Sequence, residues 1–410
     1  MKINILLFFL FITLSIKAKQ IEVCSDCNVK TIKEAIKLAK TGDQIFIKKG
    51  LYKEHNITIN KSISLIGEQG AIIDGENAGG ILIFDTDNFT IKGLKIINVG
   101  MSYTVDYAAI KVIKANNFIV EECTLENVFF GILIEKSKNG IIRNNIISGT
   151  RKTEVSSGNG IHIWDGSKME VYNNHLFGMR DGIYFEFVKN SQVYKNKSHN
   201  NIRYGLHFMF SNKNIYHHNK FESNGAGVAV MFSKFITMHH NSFKLNWGSA
   251  SYGLLLKEIY DAEIYNNLFE ENTIGINGEG CTRINYTNNT FLRNGWAIKI
   301  AGACYANIFK KNDFMHNSLD LSYNTKINDN LFENNHWSEY TGYDLDKNGV
   351  GDIPYRPVKL FSYIVNKTPE ALVLLRSLFV DIINFSEKVS PVFTPDNLMD
   401  EKPIMKKIND

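Results

Sequence analysis

Two short strings alternate along this 410-residue chain. Gly followed by an apolar/variable alternation recurs at Gly131, Gly160, Gly182, Gly205, Gly227, Gly253 and Gly275, at steps of 29, 22, 23, 22, 26 and 22 residues. Asn beside a large apolar residue recurs in phase at Asn174, Asn196, Asn219, Asn241, Asn267, Asn289 and Asn312, at steps of 22, 23, 22, 26, 22 and 23. The longer steps coincide with polar insertions near 151–158 and 246–251. Period-two alternation inside each unit means short strands. One unit has too little apolar surface to fold alone, so units must stack. The Leu-x-x-Leu-x-Leu frame of leucine-rich repeats is absent, and tetratricopeptide and ankyrin periods are longer. The expected fold is all-β: a right-handed parallel β-helix over 44–340, each of about a dozen coils adding about 4.8 Å of height. Asn at a fixed coil position then stacks as an amide ladder.

The flanks read differently. Met1-Lys2, the apolar run Ile3–Ile16 and Ala18 have the shape of a signal peptide over 1–18, which implies export to the oxidising periplasm. In segment 19–43, Thr31 and Glu34 form a capping box for a short helix, Thr31 to about Ala39, that plugs the open end of the stack. Residues 341–360 are an Asp/Gly-rich loop, and 361–410 hold a C-terminal helix and tail. Thr368-Pro369 predicts a helix over Glu370–Ser386 that is apolar nearly all round. Its Leu374, Leu375, Leu378, Phe379 and Ile382 are candidates for docking onto a membrane partner; a cap on the C-terminal end of the β-helix is the rival reading. Beyond the first 20 residues no apolar run approaches the roughly 18 needed to span a bilayer, so membrane contact runs through a partner only. A net charge of +4 without a basic run argues against nucleic acid as a ligand.

Counting each Gly as position 0, positions 1 and 3 are apolar and face the core. Positions 2 and 4 then face solvent, and read His162/Trp164, Tyr184/Glu186, His207/Met209, Ala229/Met231 and Leu255/Lys257. Thioether with imidazole suits Cu(I), which makes His207, Met209, Met231 and His162 the candidate copper ligands. A partly apolar face covered by a loop or partner is the alternative. A second strand repeats Tyr216-His217-His218 and Met238-His239-His240 on adjacent coils, adding Met238, His217 and His239 as candidates, or else a turn-lining ladder. Cys281 and Cys304, 23 residues apart, occupy the coil position held elsewhere by Ser211 and Ser233; their spacing permits a disulfide. Cys24 and Cys27 suit a local disulfide. Asp344, Asp346, Asn348 and Asp352 follow the first half of a calcium loop, with Tyr355 where the bidentate Glu belongs.

The strings GNGIHIWDG, RDGIYFEF, RYGLHFMF, NGAGVAVMFS, YGLLLKEI and GYDLDKNGVGDIPYRPV together resemble the NosD family over about 30–390. That resemblance implies a periplasmic, non-enzymatic accessory protein working with the permease and ATPase of an ABC transporter. It implies a copper chaperone upstream, transient copper as cargo, and assembly of the copper–sulfur cluster of nitrous oxide reductase. It names no copper ligands, so the His/Met assignment rests on outward position alone. The alternative is a polysaccharide lyase or glycoside hydrolase built on Asp165, Arg180, Asp181 and Glu186. Against it, no close cluster of outward acids repeats on adjacent coils.

Overall fold

The computed structural model describes residues 18–150, 153–248, 251–323, 329–389 and 398–408. All of the expected signal peptide except Ala18 lies outside the described residues.

Three parallel sheets wind around one core. Among the described residues the first sheet has 14 strands, from Gln20–Val23 to Leu331–Glu333. The second has 12, from Ile57–Ile59 to Leu319–Tyr323, and the third has 13, from Gly50–Lys53 to His336–Trp337. Each strand pairs in parallel with its equivalent one coil away, as in Ile183–Glu186 beside Tyr204–Met209. This is the expected right-handed parallel β-helix, of about 13 turns. The repeated Gly has a steric cause. A Cβ on Gly182, Gly205 or Gly227 would stand 2.6, 2.7 and 2.4 Å from the carbonyl oxygen of the next Gly in the column.

The Asn ladder is continuous. From Asn145 through Asn174, Asn196, Asn219, Asn241, Asn267, Asn289 and Asn312 to Asn335, each Nδ2 donates to the next Oδ1 at 3.0–3.1 Å. Backbone amides donate to the same oxygens, and the second Nδ2 proton goes to a carbonyl of the coil before, as in Asn174 to Ile142 at 2.9 Å. Every buried polar group of the turn is thereby paired. A parallel aromatic stack, Phe221, Phe243, Phe269, Phe291, Phe314 and Trp337, fills the core at ring spacings of 4.0–5.5 Å.

Both ends are closed. At the N-terminal end the helix Ile32–Leu38 is capped by Thr31, whose Oγ1 accepts from the Glu34 amide at 3.2 Å, and it buries Ile32, Ala35 and Ile36. The strand Gln20–Val23 pairs with Gln44–Ile47, so the sheet starts one strand before the expected position 44. At the other end, Asp400 takes the place of the next Asn. Its Oδ2 accepts from the Asn335 amide, Asn335 Nδ2 and Trp337 Nε1, each at 3.0 Å.

The expected helix Glu370–Ser386 is not continuous. The chain forms a helix Leu360–Lys367, a 3-10 turn Pro369–Leu374 and a second helix Leu378–Val389. The break lets Leu375 and Val380 both reach Trp296, Leu319, Phe361 and Val365 at the solenoid end, which one straight helix apolar on all sides would not do. Thr368 makes no side-chain cap.

Asp400→Ala leaves three buried donors without an acceptor and is expected to cost about 2–4 kcal/mol, read by denaturation and by hydrogen exchange in the last coils. Asp400→Asn restores the acceptor used at every other rung and is expected to keep most of that stability. Equal losses in the two variants would contradict the ladder-end role.

Candidate functional site

The outer face of the second sheet carries the His/Met columns in register. His162, Tyr184, His207 and Ala229 are consecutive partners, and so are Trp164, Glu186, Met209, Met231 and Lys257. Position 4 is half-exposed at Met209 and Met231, as expected. Position 2 differs: His207 is 5 % exposed and Ala229 is fully buried. The cover comes from stacking and from the turns that lead into the strands. Ring centroids lie 4.6 Å apart for His162–Tyr184, 4.5 Å for Tyr184–His207 and 4.9 Å for His207–Tyr204. Arg203 lies over Tyr204 at 4.9 Å.

This packing leaves imidazole nitrogens without partners. Both ring nitrogens of His207 and Nε2 of His162 are buried and make no hydrogen bond. The Asp181 carboxylate, itself buried, is 3.7 Å from His207 Nδ1, and Arg203 approaches the same carboxylate at 3.5 Å. Tyr184 links the columns, stacking on His207 while its hydroxyl donates to Met209 Sδ at 3.6 Å. Desolvation, with Arg180 nearby, pushes the His162 imidazole down to about 4, so it is neutral and able to donate a lone pair at neutral pH. Buried, unpaired nitrogen is costly, and a soft cation offered nitrogen and thioether sulfur would satisfy it.

Met238 is a correction. It lies in the core, fully buried, with the Tyr216 hydroxyl donating to its sulfur. It is the middle residue of Thr237–His239, so strand alternation turns it inward while His239 turns outward. His217 and His239 lie in a second cluster on the first sheet. Tyr172, Tyr194, His217, His239 and Tyr265 stack at 4.6, 5.0, 4.8 and 4.9 Å.

Cys281 and Cys304 are not bridged. They continue the serine column: the Cys281 amide donates to Cys304 Sγ at 3.2 Å, as the Ser211 amide donates to Ser233 Oγ at 3.0 Å. Each thiol turns to a carbonyl of its own coil, Glu279 and Ala301. Cys24 and Cys27 do form a disulfide. Asp344, Asp346, Asn348 and Asp352 converge in one exposed loop, where its own amides occupy the carboxylates: Gly349 and Asn348 donate to Asp344, and Leu345 donates to Asp352. Tyr355 is buried and pairs with Asp400 instead. Of the docking candidates, Leu378, Phe379, Ile382 and Leu374 are exposed, whereas Leu375 packs on the solenoid end.

Sequence reasoning missed three features. Tyr204 covers His207. His175 and His199 approach at 2.7 Å between Nε2 atoms. Phe187, Phe210 and Phe232 form an exposed stack at 5.2 Å spacings, each directly following Glu186, Met209 and Met231. The recurrence of Phe one place after position 4 was the available signal.

The arrangement is that of a β-helix solenoid whose second sheet carries columns of imidazole and thioether side chains. The chain belongs to the NosD family: the family model, described as periplasmic copper-binding protein (NosD), matches residues 36–157 and 149–345. A probable ABC transporter binding protein NosD of Pseudomonas aeruginosa is 26 % identical over 86 % of this chain and 86 % of its own. One from Stutzerimonas stutzeri, of the same description, is 24 % identical over 85 % and 84 %. Among solved structures, the A-module of the mannuronan C-5 epimerase AlgE4 of Azotobacter vinelandii has a TM-score of 0.58 at 11 % identity, covering 70 % of this chain and 91 % of its own. A family 28 exopolygalacturonase of Yersinia enterocolitica scores 0.56 at 13 % identity, covering 78 % of each chain. These two likenesses concern the fold. No helix among the described residues is long and apolar enough to cross a membrane.

The His162 and His239 imidazoles are both held down to about 4, first by desolvation, against an ordinary value of 6.5. Between those values the unfolded chain binds more protons than the folded one, so stability rises with pH. Denaturation midpoints are expected to fall as pH drops from about 6.5 toward 4, with a shallower fall in His162→Gln. A flat profile over that range would contradict the burial of these rings.

Proposed function

We propose that this chain is a periplasmic accessory protein that takes up copper on the outer face of its second sheet and hands it on for assembly of the copper–sulfur cluster of nitrous oxide reductase. The observation that carries this reading is buried His207, neither of whose nitrogens is hydrogen-bonded, with Met209 two residues on and Met231 on the adjacent coil. Copper here is cargo. His207 supplies imidazole nitrogen and the two thioethers supply sulfur, a set that favours Cu(I); His162 stands two coils away, beyond the Tyr184 ring. Tyr184 holds Met209 and His207 about one ring. The half-exposed methionines are where a copper chaperone delivers, and the exposed Phe187–Phe210–Phe232 stack borders that entry.

The relatives' description as ABC transporter binding proteins supports a permease–ATPase partner. Leu378, Phe379, Ile382 and Phe385 on the helix Leu378–Val389 are 53–74 % exposed, an apolar face suited to a groove on the permease. Val380 anchors that helix to the solenoid. The role is not enzymatic. Asp181, the most buried of the acids a glycosidase would need, is already engaged by Arg203 and by the Tyr204 amide at 3.3 Å. The calcium expected at Asp344, Asp346, Asn348 and Asp352 would share these carboxylates with the loop's own amides.

The triple variant His207→Ala, Met209→Ala, Met231→Ala is expected to bind Cu(I) at least about ten-fold more weakly, roughly 1.4 kcal/mol, in competition titration under reductant. Unchanged affinity would sink this face as the copper site. Release of reducing ends from pectin or alginate by the wild type would favour the enzyme reading.

Leu378→Asp with Ile382→Asp changes exposed residues only, so the melting temperature is expected to hold. Co-purification with the permease is expected to be lost, and full retention would rule this helix out as the docking element.

A further inference from the structure

The turn between the first and third sheets sets a backbone rule. The residue just before each ladder Asn has positive φ: 56° at Asn144, 54° at Asn173, 54° at Asn266, 54° at Asn288 and 56° at Asn334. Asn is the ordinary choice there because its short amide tolerates the left-handed region. Lys195 and Lys311 depart from it, at 54° and 55°, and so do two consecutive coils that carry His, with His218 at 55° and His240 at 53°. The residue before each of these is also His, where the coils on either side carry Tyr194 and Tyr265. Four imidazoles thus stand on two adjacent coils, directly against each other, where the flanking coils carry Tyr194-Lys195 and Tyr265-Asn266.

Their geometry is that of ligands. His217 Nδ1 lies 2.9 Å from His218 Nδ1, and His239 Nδ1 lies 2.9 Å from His240 Nδ1. Two nitrogens bound to one ion at about 2.0–2.1 Å and at a right angle stand about 2.9 Å apart. Across the coils, His218 and His240 are parallel at 4.8 Å, and His217 and His239 are stacked at 4.8 Å. Donor atoms of His217, His218 and His239 all lie within 4.8 Å of one another. Bringing the two coils' nitrogens onto one ion needs only small side-chain rotations on an open surface.

We propose that His217, His218, His239 and His240 form a second metal site, for a borderline divalent ion of the Cu(II)–Zn(II) class. It is chemically distinct from the second-sheet face and does not depend on that reading, since it offers imidazole nitrogen alone. Imidazole suits Cu(II) and Zn(II), and among first-row divalent ions Cu(II) binds such donors most tightly. Burial, with the neighbouring imidazoles, lowers His239; burial, with His218, His240 and Lys195, lowers His217; and burial, with His240 and Lys195, lowers His218. Within each 2.9 Å pair a ring N–H directed at its neighbour moves to Nε2, which frees Nδ1 for the ion. Tyr194 and Tyr265 flank the stack at 5.0 and 4.9 Å.

The test uses the full mature chain, untagged, with Cu(II) alone as probe and Zn(II) as competitor. Electron paramagnetic resonance is expected to show a tetragonal Cu(II) with coupling to several imidazole nitrogens, displaced by excess Zn(II). The double variant His218→Asn, His240→Asn restores the residue that other coils carry at these positive-φ positions, so its melting curve is expected to match the wild type. Its Cu(II) affinity is expected to fall at least ten-fold, as is that of His217→Ala with His239→Ala. Met209→Ala with Met231→Ala is expected to leave Cu(II) binding unchanged. Undiminished Cu(II) affinity in the Asn variant, or a spectrum without nitrogen coupling, would overturn the site. A loss confined to the methionine variant would overturn it too, and would assign Cu(II) to the second sheet.

Discussion

Everything in this molecule depends on register between coils. A parallel stack repeats each residue one strand spacing further along the axis, so one side chain becomes a column. The Asn ladder fixes that register: each amide donates to the rung ahead and the coil behind, and a slip of one residue would strand its buried groups. Glycine at position 0 lets the coils approach, and the Phe column fills the space behind. With register locked, two residues 22 apart in sequence are neighbours, which is how Met209 meets Met231 and how His217 meets His239.

The repeat was legible because its causes are local and identical in every coil. The amide column, the glycine step and the inward pairs such as Ile183 and Phe185 all follow from spacing. The site was legible in part. Outward position 4 was read correctly at Met209 and Met231, and the outward turn of His217 and His239 was visible as alternation. Met238 was misassigned because a His-His dipeptide drew it into a motif, although parity puts it inside. The burial of His207 was not legible, since its cover comes from Arg203 and from Tyr204, an aromatic ring at a coil position that the next coil fills with Ala226. The ladder's end on Asp400 was hidden for a similar reason, being a contact across 65 residues of non-repeating chain. The helix expected over 370–386 breaks because its apolar residues have to satisfy two surfaces, the solenoid end and an open face.

The two proposed metal-binding faces divide by chemistry. The second sheet combines imidazole with thioether, partly buried and bordered by aromatic rings, and suits a soft monovalent ion in transit. The first-sheet turn offers imidazole only, near the surface, and suits a borderline divalent ion. In both places the chain departs from what its own repeat would supply, since the usual Asn, Tyr, Ser or Lys would serve the fold equally well. Such departures without structural gain are where function is expected.

The central claim is that copper binds where nitrogen and sulfur donors meet on the second sheet. X-ray absorption at the copper edge of Cu(I)-loaded protein tests it most directly. The account predicts a first shell containing both nitrogen and sulfur, with the sulfur lost in Met209→Ala, Met231→Ala. A shell of nitrogen and oxygen alone in the wild type would contradict it.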